Sequence, residues 1–521
     1  MSTGRCGKSL VEPRFLGPLE GYVVVDTFES VDANEVRVLA FVRNYGVDKD
    51  FAVELDVCGN TVYRRVIRLL RGERQGVELY VDAKKDCTAR LAVNGSTLDA
   101  QKIDVRDTSS LENPTNVLMV LHNHQPPNYC PRSVYRGLWP FTYVWEPILF
   151  PYGLGPYYYQ AILLKEVGFG VKLVYNISPS LIRQWRDIVE TGIKTITGEI
   201  ISPHSELAKV VKETMNIYQE LASSGVIEVL TSIYAHTIAG YVVDVLGLGD
   251  LIRREVEYGY NITEEFTGSK PKGIWLPEMS FSMNLISILK SQNLEYTFLD
   301  ERYHFNGAKG DIGDHYEPYV VQDSSGNTLT VLFRDTELSN DVGFANNYCS
   351  DIHAVKGAYA FMSKLVDKCA RNRAKVLTIA LDGENWMAFS KNPPATAVFL
   401  ETVLLLLKRL GKLGLAKLTT AEEVLRSTPP VRKLWYVPST TWLGSYTKWK
   451  GERVEHEVFW EMVERRIARY KEYILKHGLD EKAVKAEWAL WHVLDSDYWW
   501  AEFWDEEMIT LWISEFDRHI P

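Results

Sequence analysis

Two different rhythms of apolar and polar residues run along this chain of 521 residues. Up to about residue 105, apolar positions alternate with polar ones in short runs at 21–26, 36–42 and 51–57, and Gly59-Asn60 and Asn94-Gly95 supply turn residues. A period of two puts successive side chains on opposite faces of a strand, so residues 1–108 are expected to form a small antiparallel β-sandwich. Residues 109–115, polar and with Pro114 near the end, read as a linker.

From residue 116 the alternation is lost. Continuous apolar runs stand at 117–121, 171–175, 226–230, 273–276, 296–299, 329–333 and 376–381. Such runs are what strands buried on both faces of a parallel sheet require. Segments of helical period, such as 283–289 and 358–366, lie between them. Seven repeats of this kind predict an α/β fold, an incomplete (β/α)7 barrel over residues 116–408. No glycine-rich phosphate loop follows the first run, which disfavours an open dinucleotide-binding sheet. Strand-like runs stop near residue 405, and residues 409–521 are expected to form an α-helical domain. There a helix over 454–477 should end at Gly478, with Asp480 capping the next.

Charge and composition narrow the partners. With 58 Lys+Arg against 68 Asp+Glu the net charge is −10, which argues against nucleic acid or an anionic membrane surface. Aromatics make up 12% of the chain, with 15 Trp and 28 Tyr; that load suits both deep cores and surfaces that stack on sugar rings. Most of the Trp cluster beyond residue 430 is expected to pack the helical domain. The 6 Cys form no CxxC pair, so buried free thiols are expected, with a Cys58–Cys87 bridge as the alternative. Neither a signal-like segment nor a ~20-residue apolar span is seen, and the expectation is a cytoplasmic protein.

The candidate chemistry lies just past each apolar run, where parallel barrels gather their functional side chains. There the chain places His122-Asn123-His124-Gln125, then Asn176 to Ser180, Tyr234-Ala235-His236, Pro277-Glu278, Asp300-Glu301, Arg334-Asp335 and Asp382-Gly383-Glu384. Glu278 and Asp382 each follow an apolar run directly, and a pair of carboxylates flanking one bond is what glycoside cleavage needs. Either could instead cap a following helix. His122, His124, His236 and Asp382 could alternatively bind a metal, as in a metal-dependent deacetylase or hydrolase. Neither HExxH nor HxxEH is present.

Taken in chain order, the blocks HNHQPP (122–127), VIEVLTSIYAHTI (226–238), GIWLPEMSF (273–281), LEYTFLDERYH (294–304), LFRDTELSNDVGF (332–344), TIALDGENW (378–386), TTWLGSYTKWKGE (440–452) and LDSDYWW (494–500) resemble glycoside hydrolase family 57. That resemblance implies a (β/α)7 barrel followed by helices, retaining chemistry on α-glucans, and no cofactor or catalytic metal. It implies that Glu278 is the nucleophile and Asp382 the acid/base. His122, His124, Gln125, Glu228, His236 and Trp275 match positions lining the cleaved bond. Trp386, Trp442 and Trp449 match more loosely as stacking platforms, and Asp497 falls in a C-terminal block of substrate-binding character. Trp275 and Trp386 are the rings expected to meet the glucan. The reading is therefore an amylase- or amylopullulanase-like enzyme, with a 4-α-glucanotransferase or branching enzyme using the same residues as the alternative. A non-catalytic glucan-binding protein would have no need of the carboxylate pair.

Overall fold

Each of the seven apolar runs becomes a strand in the computed structural model, which describes residues 18–26, 35–83, 86–103, 114–167, 171–344 and 347–521. The strands are β1 (Thr115–Asn123), β2 (Leu173–Ile177), β3 (Ile227–Ser232), β4 (Gly273–Trp275), β5 (Tyr296–Asp300), β6 (Thr328–Arg334) and β7 (Val376–Asp382). Every neighbouring pair is parallel, and β7 returns to β1 while β5 pairs β6, so the sheet closes on itself. The barrel is incomplete only in having seven strands. All five residues of β2 and all five of β5 are buried, which is why their sequences show no period-two alternation.

One seam is thin. β6 and β7 share a single register pair, Arg334↔Thr378. Side chains take over where the ladder ends: the Ala380 N–H donates to Ser339 Oγ at 3.0 Å, and the Ala380 carbonyl accepts from Arg334 Nη1 at 3.0 Å. The seam thus fixes the Arg334 guanidinium at the rim.

Chain contacts divide the molecule into two compact units. The barrel unit holds Asn116–Ser339, Lys375–Glu384 and Leu418–Pro521. In it the helix Val454–His477 ends at Gly478, whose φ of 71° is the left-handed geometry glycine adopts without a Cβ clash. Asp480 caps the following helix by accepting from the Ala483 N–H at 2.9 Å. Trp460, Trp499 and Trp512 are fully buried, as expected of a core packed by aromatics. Strands do not stop at residue 405, however. Arg432–Tyr436 pairs in parallel with Tyr319–Gln322 and antiparallel with Lys309–Gly310. Its half-exposed pattern gave no continuous apolar run to read.

The other unit comprises the described residues up to Thr115 together with Asn340–Ala374 and Asn385–Lys417. It holds a three-stranded and a four-stranded antiparallel sheet, packed through Val23, Val38, Leu55 and Leu91. The expected turn at Asn94-Gly95 uses positive φ, and the other falls at Cys58-Gly59, one residue before the expected Gly59-Asn60, with Asn60 already in a strand. Cys58 and Cys87 are bonded to each other, so the expectation of free thiols fails at this pair. Neighbouring antiparallel strands bring their Cα atoms within 4.9 Å. Cys369 is buried and not part of a disulfide, and Cys130 is a half-buried free thiol. Cys6 and most of the expected linker, residues 109–113, lie outside the described residues, and Thr115 already belongs to β1. Among the described residues no helix is long and apolar enough to cross a membrane.

Candidate active site at the strand ends

Register places the first two functional groups. His122 on β1 stands opposite Asn176 on β2 and Asp382 on β7. His122 and His124, two residues apart, share one face, and their rings stack at 5.4 Å between centroids. From the β3 loop His236 enters the same stack, 3.8 Å from the His124 ring and 5.0 Å from His122. His236 has φ 57°, a left-handed geometry unusual for a residue with a Cβ. Its turn is held from below by buried Glu255, which accepts from the Ala235 N–H at 2.9 Å and the Thr237 hydroxyl at 3.0 Å. Trp275 closes the back of the stack at 4.8 Å from His122.

Glu278 follows β4 on a short turn, Pro277–Met279, in which both Glu278 (φ 56°) and Met279 (φ 49°) are left-handed. Two successive non-glycine residues in this region cost on the order of 1–3 kcal/mol each, and such strain collects at functional sites. The Glu278 side chain is buried. Oε1 lies 3.3 Å from Ser496 Oγ and 3.9 Å from His236 Nδ1. Among the described residues Oε2 has no hydrogen-bond partner. Burial, and then the like charges of Asp497 and Asp382, push Glu278 well above the usual carboxylate range. Glu278 and Asp382 therefore sense each other across the rim, although they come from β4 and β7.

Asp497 reaches the stack from the short helix Ser496–Trp499. Its Oδ2 is 2.8 Å from His124 Nε2 and 3.2 Å from His236 Nδ1. Burial alone would raise it, but the two imidazoles overcome that and hold Asp497 well below the ordinary range. His122 and His236 are drawn down mainly by burial, His236 to about 4, so both are neutral at pH 7.

The three rings lie within 12° of parallel, and His122 Nε2 and His236 Nε2 face each other at 2.9 Å. A metal held by both would need ~2.0–2.1 Å to each nitrogen, with the lone pairs converging on one point. Parallel rings send their in-plane lone pairs along parallel planes, and this pair is already spaced for an N–H···N bond. The His122–His236 pair thus reads as a hydrogen bond rather than as two ligands of one ion, while ligand-type atoms of His124, His236, Asp495 and Asp497 also lie within 4.8 Å of one another.

The structure thus brings together His122, His124, His236, Glu278, Asp382 and Asp497. Gln125 is buried beside them, donating to the Tyr157 hydroxyl at 3.1 Å. Trp442 sits half-buried with its backbone N–H on the Glu278 carbonyl at 3.1 Å, its ring covered by Arg334 at 4.8 Å. Four residues are placed differently from expectation. Glu228 lies near the start of β3, at the far end from the rim, where it accepts from the Glu422 N–H at 3.0 Å. Trp449 is wholly buried, edge-on to Trp500. Trp275 and Trp386 are each 1% exposed, so neither offers an open ring face.

Sequence reasoning assigned no role to Asn176, Tyr157, Ser496 or Glu384. Asn176 sat at a strand end and Glu384 two residues past Asp382, which was the available signal. Tyr157, on the helix Pro156–Val167, gave none. Its hydroxyl meets Glu384 Oε2 and the His124 carbonyl, both at 2.8 Å. Burial and the Asp382 charge push Glu384 well above its usual range.

The model of glycosyl hydrolase family 57 matches residues 118–438, more than half of the chain. The chain belongs to glycosyl hydrolase family 57. A stretch of 272 residues is 26% identical to the 1,4-alpha-glucan branching enzyme TK1436 of Thermococcus kodakarensis, covering 44% of this chain. This chain spans 38% of the length of that curated relative. Its fold is similar to the GH57-type branching enzyme from Pyrococcus horikoshii, with a TM-score of 0.56 at 16% identity over 78% of this chain and 88% of that one. It is similar to the same degree to the alpha-amylase AmyC from Thermotoga maritima, with a TM-score of 0.56 at 16% identity over 78% and 93% of the two chains.

Proposed function

We propose that this family 57 chain cleaves α-glucans with retention of configuration, using Glu278 as nucleophile and Asp382 as acid/base. The observation that carries the reading is the strained, buried Glu278 at the rim, in electrostatic contact with Asp382 from the other side of the barrel. Asp382 gives its proton to the glycosidic oxygen while a Glu278 oxygen bonds to the anomeric carbon. Asp382 then takes a proton from the acceptor hydroxyl, which attacks the glycosyl-enzyme from the same side. The neutral imidazoles of His122 and His236 add no cationic charge to a pocket meant for a neutral polyol.

Water as acceptor makes the enzyme an α-amylase or amylopullulanase; a sugar hydroxyl makes it a glucanotransferase or branching enzyme. The relatives' names fall on both sides, a branching enzyme and an alpha-amylase. Hydrolysis is the main reading and transfer the second. Products from maltoheptaose, amylose and pullulan decide between them, since transfer alone yields chains longer than the substrate. Activity on none of these glucans, from folded protein, would overturn the assignment.

A further inference from the structure

Strand β7 ends at Asp382, the residue assigned above as acid/base. Just beyond it, the Gly383 N–H donates to the His122 carbonyl on β1 at 2.7 Å. The next partners come from the helix Pro156–Val167. Gln160 Nε2 donates to the Gly383 carbonyl, and the Tyr157 hydroxyl meets Glu384 Oε2 at 2.8 Å. Residues three apart stand on one helix face, so a single face grips two successive residues of the turn. Peptide groups are planar: a bond to the Gly383 N–H fixes the plane before that residue, and a bond to its carbonyl fixes the plane after it. Both torsions of the glycine are thereby pinned, and with them the direction in which Asp382 enters the rim.

The helix is fastened to the same rim. The Tyr218 hydroxyl donates to the Tyr157 carbonyl at 2.8 Å and accepts from Asn123 Nδ2 at 3.0 Å. Asn123 stands between His122 and His124, and its Oδ1 is the atom that leaves no room for a Cβ at position 383. The links close a ring that runs from the Asp382 turn through Tyr157, Tyr218 and Asn123 and back by the His122 carbonyl. Gln160 is 1% exposed, and among the described residues its Oε1 has no hydrogen-bond partner. A buried amide left half unpaired is unfavourable, and a Leu of similar size would fill the space without that cost. The bond to the Gly383 carbonyl is what the amide adds.

We propose that Gln160 and Tyr157 are positioning residues for the acid/base: through the Gly383-Glu384 turn they aim the Asp382 carboxyl at the glycosidic oxygen. This rests on the role assigned to Asp382 above. Neither side chain exchanges a proton with the substrate. They act through the turn, so they count in the steps where Asp382 moves a proton and not in the attack by Glu278.

Two substrates separate this role from general support of the site. Fluoride leaves α-maltosyl fluoride without an acid, so kcat/KM on it reports the attack by Glu278 alone. Cleavage of maltoheptaose needs the Asp382 proton for its leaving sugar. For Gln160→Leu, kcat/KM on maltoheptaose should fall roughly tenfold to a hundredfold, while that on α-maltosyl fluoride changes by no more than about twofold. Tyr157→Phe should show the same preference. Equal losses on both substrates, or no loss on either, overturn the proposal. Should Gln160→Leu not fold, the same comparison on Tyr157→Phe decides it. If Asp382→Asn keeps the wild-type kcat/KM on maltoheptaose, it is the acid/base assignment that fails. If Asp382→Asn loses it while Gln160→Leu treats the two substrates alike, only the positioning role fails.

Discussion

His122 and His236 come from loci 114 residues apart and set two imidazole nitrogens 2.9 Å from each other. One hydrogen fits between them, and Asn176 decides which ring supplies it. A contact that could be taken for half of a metal site is instead a tautomer lock.

Chelators should therefore leave turnover untouched. Prolonged EDTA treatment followed by assay on maltoheptaose is expected to give the untreated rate, and zinc ions should not raise it. A metal-dependent enzyme on this barrel would lose turnover without unfolding.

Replacing Asn176 by Leu removes the acceptor for His122 Nδ1 and frees the ring to take either tautomer. The expected cost is ~1–3 kcal/mol of stability from the unpaired buried N–H. The kcat should fall more than KM rises, because the ring stack backs the reacting groups rather than holding distant sugar units. Denaturant melts and steady-state kinetics on the same preparation check both.

Gly383 links Asp382 to Glu384 where the backbone crosses β1. A Cβ there would stand 1.8 Å from Asn123 Oδ1 and 3.3 Å from the His122 carbonyl oxygen. Gly383→Ala should cost ~1–3 kcal/mol and most of the activity, since relief of the clash displaces Asp382. Thermal melting and kcat measure the two losses.

Glu228 carries a prediction about stability rather than catalysis. Half-buried at the end of β3 away from the rim, it is pushed up to about 8 chiefly by desolvation. The folded protein thus holds a proton that the unfolded chain releases near the ordinary Glu value. That contribution is complete below about pH 4.5 and is lost as pH rises towards 8, on the order of a few kcal/mol across the window. Glu228→Gln should flatten the decline of Tm between pH 5 and 8 and leave kcat unchanged at the plateau.

The barrel was legible because strands buried on both faces leave continuous apolar runs, and the rim was legible because chemistry follows those runs directly. Glu228 misled because its block is rich in strand signal, while a strand's start and its functional end look alike in one dimension. Trp275 and Trp386 misled for a related reason: an aromatic beside a carboxylate can support it from behind as well as face a ligand. Ser496 and Asn176 are small polar residues of a kind found in every loop. Their importance lies in single hydrogen bonds across 218 and 54 residues of chain, which no local pattern encodes.

The central claim is that Glu278 forms a covalent bond to the sugar while Asp382 serves both half-reactions. An Asp382→Asn variant given α-maltosyl fluoride needs no acid for departure of fluoride but lacks the base for the second step. Mass spectrometry of its peptides should find a maltosyl adduct on the peptide carrying Glu278. An adduct on another carboxylate, or fluoride released steadily with no adduct, would contradict the account.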